Sequence, residues 1–223
     1  NRYKSDFIRR YVYDGLGRFV QEYNADFGKT FNYSYDNAGN ITQKSYEQTN
    51  SQGQTEQIAK TYAYTNGRLT NFNGYTILYD EIGNPVTCFN NSLEWTHGHR
   101  LKKYHGAEFE YNYAGIRLKK TANGKTTKYA LEGDKIIAIE QTYGNTTQNM
   151  IFYYGVDGVS GFEYEGEQYF YRKNIFGDIL GIYKNAELIV KYAYDAWGEN
   201  KTYVSDGSNW VLLENSTALD SNS

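Results

Sequence analysis

The chain has 223 residues, a length typical of one large domain or two small ones and sufficient to bury a core. Its 25 tyrosines and single proline argue against disorder, and its single cysteine excludes an intramolecular disulfide and a cysteine-based zinc site. The net charge of −3 with scattered basic residues argues against nucleic-acid binding, and the mean hydropathy of −0.76 argues against a transmembrane helix.

Taken in chain order, the sequence predicts β-strands separated by a recurring turn motif. The motif is an aromatic residue, an aspartate, two variable residues and a glycine. Its complete copies are Tyr13–Gly17, Tyr35–Gly39, Tyr79–Gly83 and Tyr194–Gly198. Degenerate copies end at Gly67, Gly98, Gly115 and Gly177. Such internal repetition is typical of a protein in which each repeat supplies one supersecondary unit.

Each complete copy predicts a β-hairpin turn. Aspartate at the first turn position accepts hydrogen bonds from the turn's own amides, and glycine at the fourth adopts the left-handed conformation. The aromatic residue before the aspartate lies on the strand that enters the turn. We therefore predict a structural turn motif at Tyr13, Asp14, Gly17, Tyr35, Asp36, Gly39, Tyr79, Asp80, Gly83, Tyr194, Asp195 and Gly198.

Other segments complete the predicted order of elements. Residues 48–60 are polar and are predicted to form a long loop between hairpins, with a short helix as the alternative, whereas Asn123–Gly124 predicts a tight hairpin. Apolar strands are predicted at 136–139, 150–154 and 168–171. From residue 205 the composition shifts to Ser, Asn and Asp, and we predict a strand remnant around Trp210 followed by a frayed tail. The hairpin strip is thus predicted over 1–204.

The repeats resemble the YD repeats of the Rhs (rearrangement hotspot) and YD-repeat family. The most specific portions, Tyr171–Gly181 and Val190–Gly198, are similar to the start of the Rhs-associated core, so residues 168–199 are assigned to a core-like segment. The resemblance implies an all-β fold, in which tandem antiparallel β-hairpins form a curved, spiralling strip that is a segment of a hollow shell. The family's autocleavage segment has no matching positions here, since the only proline is Pro85.

The resemblance also implies a non-catalytic role. In this family the shell encloses a C-terminal toxin domain and helps deliver it, or serves as a cell-surface adhesion scaffold. The expected partners are therefore the rest of a parent protein and an enclosed toxin domain, and a chain that begins with Asn1 is expected to be a fragment of that parent. We expect a secreted or surface location on a Gram-positive bacterium, no nucleic-acid partner and no membrane insertion.

A carbohydrate-binding repeat module is the alternative function. Aromatic rings stack on sugars, so exposed aromatic residues on a row of hairpins could bind cell-wall polysaccharide or other cell-surface glycans. The candidates are Trp95, Trp197 and Tyr194. Packing of the motif tyrosines between neighbouring hairpins is the competing explanation.

The histidines form the one cluster that suggests a metal. His97 and His99 could ligate zinc, with Glu94 or Glu108 as a third ligand and His105 nearby. They lie, however, at a degenerate copy of the turn motif. We therefore predict no metal site and no cofactor.

Three carboxylates and one serine are the candidates for catalysis. Glu163, Glu165 and Glu167 alternate along a strand, and glycosidases need paired carboxylates, but a charged solvent-exposed face is the simpler explanation. Ser160 lacks the flanking pattern of a nucleophile elbow. No catalytic residue is predicted.

The ends of a hairpin strip are edge strands, whose unpaired backbone groups recruit partners. The predicted edges are the N-terminal strand at Phe7–Val12 and the C-terminal strands. We therefore predict dimerisation through an exposed edge.

Overall fold

The computed structural model describes residues 9–213, which form 22 β-strands joined by turns. The strands are β1 (Arg9–Tyr13), β2 (Phe19–Asn24), β3 (Lys29–Tyr35), β4 (Ile41–Thr49), β5 (Thr55–Thr65), β6 (Arg68–Phe72), β7 (Tyr75–Thr76), β8 (Leu78–Tyr79), β9 (Pro85–Cys88), β10 (Asn91–Thr96), β11 (Arg100–Tyr104), β12 (Ala107–Tyr111), β13 (Arg117–Ala122), β14 (Lys125–Glu132), β15 (Lys135–Tyr143), β16 (Thr146–Gly155), β17 (Gly158–Tyr164), β18 (Glu167–Lys173), β19 (Ile179–Lys184), β20 (Glu187–Tyr194), β21 (Asn200–Ser205) and β22 (Trp210–Leu213). Within 9–213 no helix is long and apolar enough to cross a membrane. The predicted all-β fold is confirmed.

Strands that follow one another in the sequence lie side by side. β1–β7 form one sheet and β8–β22 form a second, each in sequence order. Short turns suffice to join antiparallel neighbours, so the tandem antiparallel hairpins are also confirmed. The described residues divide into two compact units, 9–78 with 193–201 and 79–192 with 202–213. The strip over 1–204, its boundary at 205 and the core-like segment 168–199 stay predictions.

The motif turns leave an irregularity in the strand pairing. Before the first turn, Val12 pairs with Gln21 but Tyr13 pairs with Phe19, so one residue of β2 is left over. The register shifts in the same way before Tyr35. A bulge of this kind bends the strand that carries the extra residue, so β2 and β4 bend just after they leave their turns.

Aromatic side chains build the apolar core of each unit. In the first unit Phe31 and Tyr33 are buried, and the rings of Phe27 and Phe31 meet edge to face with centroids 5.7 Å apart. In the second unit Phe162 stacks on Tyr169 with centroids 4.9 Å apart. Such pairs stabilise the sheets beyond the area that they bury.

The long loop predicted over 48–60 is wrong, and the segment forms no short helix either. β4 continues to Thr49 and β5 begins at Thr55, so a single tight turn joins them. Asn50 takes the place of the motif aspartate, because its Oδ1 accepts hydrogen bonds from the amides of Gln52 and Gln54, both at 3.0 Å. The polar composition reflects two exposed strands rather than a loop.

The predicted C-terminal strand remnant is β22. The frayed tail predicted after it lies outside the described residues, as does the start of the N-terminal edge strand at Phe7.

Candidate functional site

The aspartate of each motif turn caps the backbone of its own turn. Asp14 Oδ1 accepts from the amides of Leu16 at 2.9 Å and Arg18 at 3.0 Å. Gly17 closes the turn with a φ of 78°, and its amide donates to the Asp14 carbonyl at 3.0 Å. The side-chain bond from Arg18, together with these amides, lowers the pKa of Asp14 below its ordinary value despite partial desolvation.

The motif extends one residue beyond the glycine. The side chain at this fifth position donates to the second oxygen of the aspartate: Arg18 Nε to Asp14 Oδ2 at 2.7 Å, Asn40 Nδ2 to Asp36 Oδ2 at 2.9 Å, and Asn84 Nδ2 to Asp80 Oδ2 at 2.8 Å. Both carboxylate oxygens are therefore satisfied within the turn. We did not predict this fifth position, although the recurrence of Arg or Asn after the glycine is visible in the sequence.

The fifth residue also joins neighbouring turns. Arg18 Nη1 donates to the carbonyl of Asp36 at 3.1 Å. Asn84 Nδ2 donates to the carbonyl of Gly98 at 2.9 Å. At the degenerate turn of Gly98 the corresponding donor is one residue later, because Arg100, two positions after the glycine, donates through Nη1 to the carbonyl of Asn112 at 3.1 Å. These bonds tie one hairpin turn to the next.

The aromatic residue at or just before the turn provides a second tie. Tyr35 OH donates to the carbonyl of Phe19 at 2.7 Å. Tyr111 OH donates to the carbonyl of Leu101 at 2.8 Å. Phe19 is the first residue of β2 and Leu101 is the second residue of β11, so in both cases the acceptor lies just after the preceding turn. These hydroxyl bonds and the bonds between turns therefore recur along the hairpins.

The fourth complete turn, at Asp195, lacks a donor at the fifth position because Glu199 stands there. Lys44 of β4 supplies the donor instead. Its Nζ contacts Asp195 Oδ2 and lies 2.7 Å from Glu199 Oε2. Lys60 Nζ lies 3.6 Å from the same Glu199 oxygen, in a more exposed position.

Two fully buried polar side chains of β2 hold the backbone of this turn. Glu22 Oε2 accepts from the Ala196 amide at 3.0 Å, and Asn24 Nδ2 donates to the Tyr194 carbonyl at 3.0 Å. Tyr33 OH donates to Glu22 Oε2 at 3.1 Å, and Asn24 Nδ2 donates to Glu22 Oε1 at 2.9 Å. Buried polar groups are costly unless paired, and this network pairs them.

The indole of Trp197, at the tip of the same turn, packs against the aromatic residues of β2 and β3. Its ring centroid lies 5.7 Å from that of Phe19 and 6.2 Å from that of Tyr33. We call the surface formed by Phe19, Glu22, Asn24, Tyr33 and Lys44 the socket. The Asp195 turn is docked in the socket, within the first unit.

The charges in the docked turn stabilise one another. Burial disfavours the charged form of Lys44, but hydrogen bonds to Asp195 and Glu199 outweigh it and raise the pKa of this lysine. Burial opposes ionisation of Glu199 as well, yet Lys44 lowers its pKa. Desolvation, followed by the negative charge of Glu22, raises the pKa of Tyr33 far above its ordinary value.

Sequence reasoning missed the socket. Glu22 and Asn24 alternate along β2 and so share one face, but polar residues in alternation normally indicate a solvent-exposed face. Lys44 lies 151 positions before Asp195, and no local pattern connects them.

The predicted carbohydrate-binding residues fall in different units. The Trp95 indole N–H donates to the Pro85 carbonyl at 2.7 Å in the second unit. Trp197 is 53% exposed in the docked turn, and Tyr194 immediately precedes that turn. Carbohydrate binding by these three residues stays a prediction.

The histidines bond to neutral partners. Nδ1 of His97 lies 3.0 Å from Thr96 Oγ1, and Nδ1 of His105 lies 3.0 Å from Asn91 Oδ1. His99 contacts Asn84. Over 9–213, no three His, Cys, Asp or Glu side chains are grouped to hold a metal ion.

The other catalytic candidates also bond to neighbouring strands. Glu163 accepts from Tyr153 OH at 2.9 Å, and Ser160 Oγ donates to the Tyr153 carbonyl at 3.2 Å. Glu165 accepts from Gln148 at 3.2 Å. Lys184 Nζ lies 3.7 Å from Glu167. These contacts link adjacent strands of the second sheet.

No protein-family model matches the chain. The tRNA3(Ser)-specific nuclease WapA of Bacillus spizizenii is 30% identical to it over 204 residues, which are 87% of this chain and 8% of that protein. The tRNA nuclease WapA of Bacillus subtilis is 31% identical over 204 residues, with the same two coverages. The chain thus spans about 8% of the length of these curated relatives. The similarity supports a relationship to the Rhs/YD-repeat family.

Among solved structures, two toxin assemblies match most of the chain. The crystal structure of TcdB2-TccC3-Cdc42 matches with a TM-score of 0.37 and 13% identity, over 92% of this chain and 13% of that one. The Photorhabdus luminescens Tc holotoxin pore matches with a TM-score of 0.36 and 14% identity, over the same shares.

Proposed function

We propose that the chain is a non-catalytic structural segment of an Rhs/YD-repeat shell, which encloses and helps deliver the C-terminal toxin domain of a larger secreted protein. The observation that carries the proposal is the alignment, in which 87% of this chain corresponds to 8% of proteins named as tRNA nucleases. A small stretch of tandem hairpins fits the wall of such a protein better than its catalytic domain. Its partners would be the remaining repeats and the enclosed domain.

The way the chain uses its carboxylates supports a structural role. The Asp14 side chain accepts two amides of its own turn and the Arg18 side chain. Glu22 is buried with three donors. A general acid or base must reach a substrate, and groups committed to the protein's own backbone do not.

The charge of the chain supports the same assignment. A segment that itself bound tRNA would need a concentrated basic surface to neutralise phosphates. The chain instead has a net charge of −3. Several of its lysines pair with glutamates on adjacent strands, as Lys103 does with Glu108 at 2.9 Å and Lys128 with Glu140 at 2.8 Å.

The experiment compares the isolated chain with the full-length protein that contains it. The isolated chain is incubated with total tRNA, and we expect no cleavage, while the full-length protein or its C-terminal domain cleaves. Cleavage by the isolated chain, abolished by a substitution within it, would overturn the non-catalytic assignment.

Enclosure is tested by limited proteolysis of the full-length protein. Gly17→Val with Gly39→Val forces side chains into turns at φ 78° and 86°, and we expect the C-terminal domain to be cut faster. Gly15→Val is the matched control, because Gly15 has open space and no positive φ. Enclosure by this segment would be contradicted if the C-terminal domain were cut at the same rate in three proteins: the double variant, the control and a protein that lacks residues 9–213.

A further inference from the structure

The Asp195 turn differs from the other complete motif turns in the chemistry of its fifth position. Asp14, Asp36 and Asp80 each receive a donor from the fifth residue, which is Arg or Asn. Asp195 is followed at that position by Glu199, which can only accept when ionised. This turn therefore carries two carboxylates and cannot cap itself fully.

One degenerate motif turn carries its hydrogen-bond donor and its acceptor in the opposite order. In the turn from Asn174 to Asp178 the acid stands last and the amide first, and Asn174 Nδ2 donates to Asp178 Oδ2 at 2.7 Å. One donor and one acceptor suffice for closure in either order. Two carboxylates offer only acceptors and cannot close a turn in this way. The Asp195 turn therefore needs a cation from another part of the chain.

Lys44 is built to provide that cation. Its side chain is 7% exposed, it contacts Asp195 and Glu199, and its ammonium lies 4.7 Å from the centre of the Phe31 ring. A buried ammonium is costly without partners, and both of its carboxylate partners belong to the turn. Burial of the Lys44 ammonium therefore depends on the Asp195 turn, and full capping of that turn depends on Lys44.

Glu22 adds a second contact that reports directly on docking. The Ala196 amide, at the second position of the turn, donates to Glu22 Oε2 across the socket. The amides of Gly198 and Glu199 instead bond to Asp195 within the turn. Exchange of the first amide measures docking, whereas exchange of the other two measures the turn itself.

We propose that the socket is a recognition site selective for a turn with two carboxylates, in which Lys44 is the specificity-determining residue and the pair Lys44–Glu199 decides whether the Asp195 turn is docked. Turns that cap themselves through Arg or Asn gain little from a buried lysine. The Asp195 turn has no alternative donor within itself. The buried lysine therefore distinguishes the Asp195 turn from the other motif turns, which have nearly the same backbone geometry.

The test is residue-resolved amide hydrogen exchange on the whole chain. In Glu199→Asn, the new side chain caps Asp195 as Asn40 caps Asp36, and Lys44 keeps one carboxylate. We expect the Ala196 amide to exchange at least ten times faster, while the amides at 198 and 199 stay protected. Glu199 is half-exposed, so this variant keeps the rest of the unit folded.

Lys44→Met is the stronger variant, since it leaves the two carboxylates side by side. We expect loss of protection at Ala196, 198 and 199. Adding Glu199→Asn to Lys44→Met should restore protection at 198 and 199 but not at Ala196, because the turn then caps itself and no longer has its lysine. Restored protection at all three amides would overturn the selectivity.

Two controls complete the design. Lys60→Met removes the outer lysine, which reaches Glu199 only at 3.6 Å, and should leave Ala196 protected. Asn40→Glu creates a two-carboxylate turn at Asp36, and should expose the amides at 39 and 40. If Ala196 keeps its wild-type exchange rate in both Glu199→Asn and Lys44→Met, docking does not depend on this pair and the proposal is wrong.

Discussion

Two glycines of the first turn separate the effect of backbone conformation from that of available space. Gly17 has a φ of 78°, whereas Gly15 is outside the positive-φ region. Neither has a heavy atom within 4 Å of the position that a Cβ would occupy. A methyl group at either site therefore meets no steric contact, and only the backbone distinguishes them.

We expect Gly17→Ala to lower the free energy of unfolding by about 1–2 kcal/mol, because an L-residue in the left-handed region is strained. Gly15→Ala should be neutral or stabilising by up to about 1 kcal/mol, since it restricts the unfolded chain. Urea midpoints at matched m-values measure both. Equal midpoints would mean that the turn does not require a left-handed residue.

The motif tyrosines allow a similar comparison at one hydroxyl group. Tyr35 OH donates to the Phe19 carbonyl at 2.7 Å, whereas Tyr13, at the same motif position, is 60% exposed. Tyr35→Phe should lower the free energy of unfolding by about 0.5–1.5 kcal/mol, and Tyr13→Phe should change it little. Urea unfolding of both variants tests the tie between hairpins, and a cost at Tyr13 equal to that at Tyr35 would contradict it.

At the scale of elements, the hairpins were predictable from sequence because the information is local. An aspartate and a glycine three residues apart specify a turn without reference to the rest of the chain. The turn at Asn50 was missed because it lacks both the motif aspartate and the aromatic residue before it, with Thr49 and Asn50 in their places. With Gly53 at φ 78°, it follows the same rule.

The docked turn could not be predicted by the same reasoning. Lys44 and Asp195 are 151 positions apart, and a lysine in a polar strand normally extends into solvent. Only the packed structure reveals that β2 and β4 turn Glu22 and Lys44 toward a distant loop. Tertiary burial here outweighs local propensity.

Docking of the Asp195 turn should weaken in acid. Since Lys44 lowers the pKa of Glu199, this carboxylate contributes stability above its unfolded pKa of about 4.3, and the contribution is lost as the pH falls through the folded value. The difference in urea midpoint between wild type and Lys44→Met should therefore shrink from pH 7 to pH 3. The carboxylates of the Asp14, Asp36 and Asp80 turns are capped by their own fifth residues, so their contributions are the same in both proteins and cancel. A difference independent of pH would contradict the pairing.

At the scale of the whole molecule, the sheets described over 9–213 end in edge strands. Among the described residues, β22 pairs with β21 alone, and β1 pairs with β2 alone. All four residues of β22 (Trp210–Leu213) are apolar and exposed. An apolar edge strand with unpaired backbone groups is the arrangement that recruits another strand.

We therefore expect the chain to associate at high concentration through β22, and Val211→Lys to weaken this association. Ile151→Lys is the matched control: Ile151 is 49% exposed and Val211 is 50% exposed, but Ile151 lies in β16, which is paired on both sides with β15 and β17. Sedimentation velocity over a range of concentrations distinguishes the possibilities. If only Val211→Lys weakens the association, the contact lies at the edge strand β22, because a charge on an edge strand opposes the addition of another strand. Equal weakening by both variants would assign the contact to a sheet face, and a wild-type chain that stays monomeric throughout would refute association through β22.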